Sequence, residues 1–281
     1  MEKRILTVQD ISCVGQCSLT VALPIISACG IEAAILPSAV LSTHTAGFKD
    51  FTCLSLTEEF PKIINHWQKE NITFDGVYTG YVLGEQIDHI IEICTKLNKG
   101  VKIIDPVMAD HGKFYYGFDQ AFAQKMCKLC QKADVILPNL TEAAFLLDEE
   151  PMLDGYDKAY IEGLLSRLVK KLKVKKVVLT GVSFEKSKLG VAVYSSQTSE
   201  VAYYFTKRIE RNFHGTGDIY SSAFVGAYLS GVSLYDSASI AADFTVKAME
   251  FTIDYADIHP YGVYFEQVLP YLIGKINYLR G

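Results

Sequence analysis

The chain has 281 residues, with 27 lysines and arginines against 32 aspartates and glutamates, giving a net charge of −5 and a pI near 5.7. That balance leaves no basic footprint for nucleic acid, and a composition of 49% hydrophobic and 21% charged residues excludes a disordered chain. The seven cysteines, Cys13, Cys17, Cys29, Cys53, Cys94, Cys127 and Cys130, are an odd set in mostly apolar stretches, which fits reduced thiols in a cytoplasm rather than a disulfide framework.

From Met1 the chain runs within a few residues into an apolar run, Ile5–Gln9, with no long leader, so no targeting segment is expected. Val21–Leu41 has the length of a membrane span, yet Pro24, Gly30, Glu32 and Pro37 interrupt it. It reads as a core helix followed by a strand at Ala33–Pro37, and no membrane partner is expected. Further apolar runs at Gly76–Thr79, Lys102–Asp105, Val135–Leu137 and Lys176–Thr180 predict strands. Between them the amphipathic segments Thr57–Glu70, Glu85–Asn98 and Asp157–Leu172 predict helices. That alternation argues for βαβ units and a parallel sheet. Gly190–Ser196 and Val201–Arg208, joined by the polar Gln197–Glu200, predict an antiparallel hairpin at one edge, and from Asp218 onward the chain reads as mainly helical. The fold class is therefore α/β, a mostly parallel central sheet with helices on both faces. With no linker, composition break or repeat, residues 1–281 are expected to form one domain. The pair Cys127 and Cys130 falls in a helical segment without a second cysteine or histidine pair, so it is expected to be two buried or half-buried thiols and not a metal site.

Ligands of open α/β sheets sit beyond the carboxyl ends of the strands, so the residues after each apolar run matter most. Phe213-His-Gly-Thr-Gly-Asp218 enters a helix of small and apolar residues. Gly215 and Gly217 let backbone N–H groups converge on one point, where the helix N-terminus adds positive charge, and the result is an anion site. It is neither a Walker A loop nor a dinucleotide fingerprint. The plain structural alternative is a tight turn in which Asp218 steadies the first helical turn. Ile103-Ile-Asp105-Pro ends a strand in a carboxylate, with Asp110 five residues on, a pattern that suits a hydrated magnesium ion. Asn139-Leu-Thr-Glu142 follows another strand; the spacing of three suits a shared ligand equally with a helix-capping box. Together the three motifs supply an anion hole, a metal carboxylate and a proton acceptor, the parts that phosphoryl transfer requires.

Over essentially its whole length the sequence resembles the ribokinase-like superfamily, through Gly215-Thr-Gly-Asp218, Asn139-Leu-Thr-Glu142 and Asp105-Pro-Val-Met. Within it, Val8-Gln-Asp-Ile-Ser12 with Gly15, Leu41-Ser-Thr-His44-Thr45 and Thr79-Gly80-Tyr81 are similar to the segments around the pyridine ring in vitamin B6 kinases. The resemblance implies a three-layer α/β/α fold, a homodimer, and transfer of a phosphoryl group from ATP to the 5′-hydroxyl of pyridoxal, pyridoxine or pyridoxamine. It implies Asp218 as base, and N–H groups of Gly215, Thr216 and Gly217 as the anion hole. Asp105 and Glu142 would hold Mg2+ chiefly through water, and a monovalent cation such as K+ is compatible with the family. Asn139, Thr180 and Lys113 would lie along ATP, Lys113 within a loop, Asp110–Gln120, similar to the segment that covers the nucleotide. Asp10, His44, Thr45 and Tyr81 would line the vitamer pocket.

Asp10 departs from the serine of many B6 kinases, and a carboxylate there favours a protonated ring nitrogen or a cationic amine. Hydroxymethylpyrimidine kinases share the glycine-rich turn and the Asn139–Glu142 motif and also carry an aspartate near Asp10, which makes them the nearest rival. A non-catalytic B6-binding protein is the alternative from another class.

Overall fold

The computed structural model describes residues 3–45, 47–255 and 261–280. In chain order these form β1 (Arg4–Ser12), α1 (Leu19–Ala28), β2 (Glu32–Leu41), the short β3 (Cys53–Ser55), α2 (Phe60–Lys69), β4 (Phe74–Thr79), α3 (Ile87–Lys96) and β5 (Asn98–Ile104). A small ribbon of β6 (Ala109–Asp110) and β7 (Lys113–Phe114) precedes α4 (Gln120–Cys130), β8 (Val135–Ile136), α5 (Leu140–Leu147), α6 (Lys158–Leu172) and β9 (Lys176–Val182). The hairpin β10 (Lys188–Ser195) and β11 (Val201–Lys207) leads into α7 (Thr216–Leu229), α8 (Leu234–Ile253) and α9 (Leu269–Arg280).

The sheet order is β11-β10-β9-β8-β5-β4-β1-β2-β3, parallel from β9 through β2, with β10, β11 and β3 antiparallel at the two edges. The chain winds outward from β1 in both directions, so the topological switch lies between β1 and β4, where open α/β sheets place their ligands.

Side chains alternate across each buried strand and divide the core in two. Leu6, Val8, Val77, Ile104, Ile136, Val177 and Leu179 face α2 to α6. Ile5, Tyr78, Ile103, Val135 and Val178 face α1, α7, α8 and α9. The expected helices on both faces and the antiparallel hairpin are thus found.

Three local expectations change. The stretch Val21–Leu41 divides at Gly30, whose φ is +77°, while Pro24 lies inside α1 and Pro37 inside β2. Pro37 is tolerated because β3 pairs only with Ala39–Leu41, which leaves β2 open on that side at Pro37. Asn98 opens β5 instead of closing α3. The segment Asp110–Gln120 is no plain loop: it begins as the ribbon, turned at His111 and Gly112, both with positive φ.

Candidate active site

The loop after β1 meets the N-terminus of α7 at Gln16 and Ser18, and the end of β5 meets its second turn through Asp105 and Ser221. Gly215 caps that helix at φ +79°, a left-handed conformation that suits glycine. Space forbids a side chain as well, because a Cβ there would run into the carbonyl of Gln16. The first bond of the helical ladder is Ile219 N–H to the Gly215 carbonyl at 3.0 Å, so the N–H groups of Thr216, Gly217 and Asp218 lie ahead of it.

Asp218, half-buried in the first turn of α7, titrates near neutrality. Burial pushes its carboxyl up to about 7, the negative charge of Asp10 adds to this, and the Ser18 N–H opposes it. Asp105, buried at the end of β5, is pushed up to about 8, first by burial and then by the charge of Asp218, against a hydrogen bond donated by the Ser221 hydroxyl at 2.6 Å. Asp218 is therefore close enough to Asp10 to be raised by its charge, and close enough to Asp105 to raise it in turn.

On the Asp105 side the geometry is tightly bonded. Asn139 and Glu142 complete the capping box of α5: Asn139 Oδ1 accepts from the Glu142 N–H and Glu142 Oε2 from the Asn139 N–H, each at 2.9 Å. Glu142 Oε1 also accepts from Met108 N–H at 3.1 Å, and Asn139 Nδ2 donates to the Ala109 carbonyl at 2.8 Å. Thr180 bridges to Asn139, and its N–H donates to Pro138 O at 2.9 Å. The capping reading of this motif is thus realised, and the same geometry leaves Glu142 buried facing Asp105. Burial raises the Glu142 carboxyl well above the ordinary range, the Asp105 charge raises it further, and the N–H groups of Asn139, Met108 and Ala109 oppose both.

Two buried carboxylates that disfavour each other's charge are a donor set that a hard divalent cation fits. Among the described residues no group of three or more His, Cys, Asp or Glu side chains gathers to hold a metal, so a cation here would keep much of its water. Asp110 stands apart, exposed in the ribbon, with Oδ1 accepting from His111 N–H at 2.7 Å.

On the Asp10 side, Asp10 is buried and accepts from the Ser12 hydroxyl at 3.0 Å. Burial raises its carboxyl, and hydroxyls of Ser18 and Ser12 oppose. Tyr81 lies close enough for the Asp10 charge, after burial, to help push its phenol up to about 12. The Tyr81 ring packs on Phe118 at 5.3 Å. His44 is buried, its Nε2 3.1 Å from the Tyr261 carbonyl, with its ring 4.9 Å from Phe48 and 5.2 Å from His214. Thr45 and Lys113 lie exposed at the periphery, Lys113 opposite Asp110 in the ribbon. The structure thus brings Asp10 close to both Asp218 and Tyr81, sets His44 beside His214, and links Asp105, Glu142, Asn139 and Thr180.

Tyr115 joins them. The ribbon is pinned on one side by Phe114 stacked on Phe145 at 4.1 Å and on the other by Phe118 on Phe122 at 4.0 Å. Between these anchors Tyr115 remains 40% exposed, and its phenol is raised by partial burial and then by the charges of Glu142, Asp110, Asp218 and Asp105. The sequence marked this tyrosine only as part of a polar segment. The two flanking phenylalanines were the available signal that the segment docks over the carboxylates.

The phosphomethylpyrimidine kinase family model matches residues 23–260. A Bacteroides thetaiotaomicron protein described as a candidate phosphomethylpyrimidine kinase, crystallised with pyridoxal, is 34% identical; the superposition covers 97% of this chain and 96% of that one, with a TM-score of 0.91. Pyridoxal kinase from Lactobacillus plantarum is 29% identical with a TM-score of 0.90, covering 97% of both chains. Pyridoxal kinase of Dictyostelium discoideum is 26% identical over 248 residues, 80% of this chain and 78% of that protein.

Proposed function

The chain belongs to the phosphomethylpyrimidine kinase family, and from that premise we propose that it is a vitamin B6 kinase, transferring the γ-phosphoryl group of ATP to the 5′-hydroxymethyl group of pyridoxal, pyridoxine or pyridoxamine. The observation that carries this reading is Asp218 in the first turn of α7, beside the Gly215 turn and close to both Asp10 and Asp105. The pyridoxal kinases among its relatives favour a B6 acceptor over the pyrimidine that the family is named for. The intact Asp218 and the complete Gly215–Gly217 turn argue against a protein that binds the vitamer without turning it over.

In this reading Asp10, His44, Thr45 and Tyr81 hold the pyridine ring so that its 5′-hydroxyl meets Asp218. A carboxyl pushed up to about 7 is matched to accept that proton near neutral pH, a step of the kind that contributes about 10²–10⁴-fold. The N–H groups of Gly215, Thr216 and Gly217 stabilise the charge of the transferring phosphoryl group. Asn139, Thr180 and Lys113 lie along the nucleotide, and Asp105 with Glu142 holds Mg2+, largely through water. When bound, that cation neutralises phosphate charge. With a net protein charge of −5, backbone N–H groups and the cation supply the attraction for a polyanionic substrate.

The reading takes residues 1–281 as one kinase domain working as a homodimer in the cytoplasm. Seven free thiols support that compartment; no helix among the described residues is long and apolar enough to cross a membrane. The test is ATP consumption with pyridoxal, pyridoxine, pyridoxamine and hydroxymethylpyrimidine in parallel. Turnover of a B6 vitamer is expected. Preference for hydroxymethylpyrimidine would assign the enzyme to the rival reaction, and binding without consumption would make it a binder.

A further inference from the structure

Several helical hydroxyls in this chain take a local partner. Those of Thr95, Ser239, Thr245 and Thr252 each turn back to the carbonyl four residues earlier, at 2.7–3.0 Å, the local outlet that such side chains usually take. Ser221, in the second turn of α7, instead sends its hydroxyl to Asp105 Oδ2, 116 residues away in sequence, at 2.6 Å. Both residues are buried. Among the described residues no other side chain donates to Asp105, whose backbone is fixed separately by its N–H to the Thr79 carbonyl at 3.1 Å. Ser221 also follows Asp218 by three residues, so the two share one face of α7.

We propose that Ser221 is a positioning residue for the divalent cation: its hydroxyl fixes the Asp105 carboxylate to the helix that carries Asp218, so that cation and base keep one mutual distance. The inference rests on the reading that Asp105 serves the cation. Nothing in the sequence pattern separates Ser221 from an ordinary small helical residue; the contact appears only when β5 and α7 are brought together. Partners that orient a metal ligand typically matter about 10–100-fold in metal affinity.

The probe is Mn2+, titrated by its electron paramagnetic resonance signal into the full-length protein saturated with ADP. For Ser221→Ala a dissociation constant about tenfold weaker is expected, with a parallel rise in the Mg2+ concentration that half-saturates turnover and an unchanged KM for the vitamer. Ser221→Cys, close in size with a poor donor, should do the same and stands in if the alanine variant fails to fold. Asp105→Asn is the control and should weaken Mn2+ at least as much. If Asp105→Asn weakens Mn2+ but neither Ser221 variant does, the positioning role is overturned while the cation reading stands. If Asp105→Asn leaves Mn2+ unchanged, the cation reading falls and this inference with it. A lowered melting temperature with unchanged Mn2+ affinity would make Ser221 purely structural and also overturns it.

Discussion

The two ends of the crevice are built differently. Around Asp105 and Glu142, three of the four carboxylate oxygens have a named donor: the Asn139 N–H of the capping box of α5, the Met108 N–H and the Ser221 hydroxyl. Around Asp10 and His44, strand β1 carries Asp10 together with its hydroxyl partner Ser12, while His44 sits in a loop and is placed by rings, against Phe48 and His214, with Phe48 stacked on Tyr261 at 5.1 Å. Bonds fixed by helix caps hold a carboxylate in one place whatever is bound, whereas ring packing lets a pocket adjust to its occupant. The carboxylates of the first region are thus held by hydrogen bonds, whereas His44 in the second is held largely by ring packing, and Asp218 lies close to a carboxylate of each.

Asp218→Asn tests the shared residue and should have the largest effect, a fall in kcat of about 10²–10⁴-fold without loss of the fold; wild-type turnover in a folded variant removes Asp218 as base. Next comes Glu142→Ala at the phosphate end. It strips acceptors from the Asn139 and Met108 N–H groups, so a loss of about 2 kcal/mol is expected together with weaker cation binding. An unchanged thermal transition would show that the two ends do not differ as described. His44→Ala at the ring end should do the converse, raising the vitamer KM about tenfold with little change in melting temperature, since a lost contact of this kind is worth about 1.4 kcal/mol. A large drop in stability would break the contrast from that side.

The smallest effect is on pH dependence. A base near 7 must lose its proton to act, so kcat/KM should climb with pH through about 7. Asp10 raises Asp218 by its charge, so Asp10→Asn should move that ascending limb to lower pH, by less than the part owed to burial. A shift to higher pH, or none, would separate the two carboxylates.

Much of the phosphate end was legible because its chemistry and its local structure use the same residues. Asn139 and Glu142 at a spacing of three are a capping signal before they are anything else, and Gly215 is demanded by φ and by the nearby Gln16 carbonyl. The ring end could be placed only by resemblance, because His44 and Tyr81 are set by contacts with Tyr261 and Phe118, far away in sequence. Short strands escaped for a different reason. β3 is three exposed residues, and β6 and β7 are two each, too brief for any periodicity to register. Ser221 was illegible because its partner Asp105 becomes a neighbour only in the folded sheet.

The division of the core has a consequence for a chain emerging from the ribosome. The sheet face that receives α2 to α6 is covered by residues close to its own strands in sequence. The opposite face has α1 early, but then waits with Tyr78, Ile103, Val135 and Val178 bare until α7, α8 and α9 are synthesised. A nascent chain halted before Thr216 would therefore display a half-clad, adhesive sheet and no catalytic helix, which is the state in which this protein would most need a chaperone.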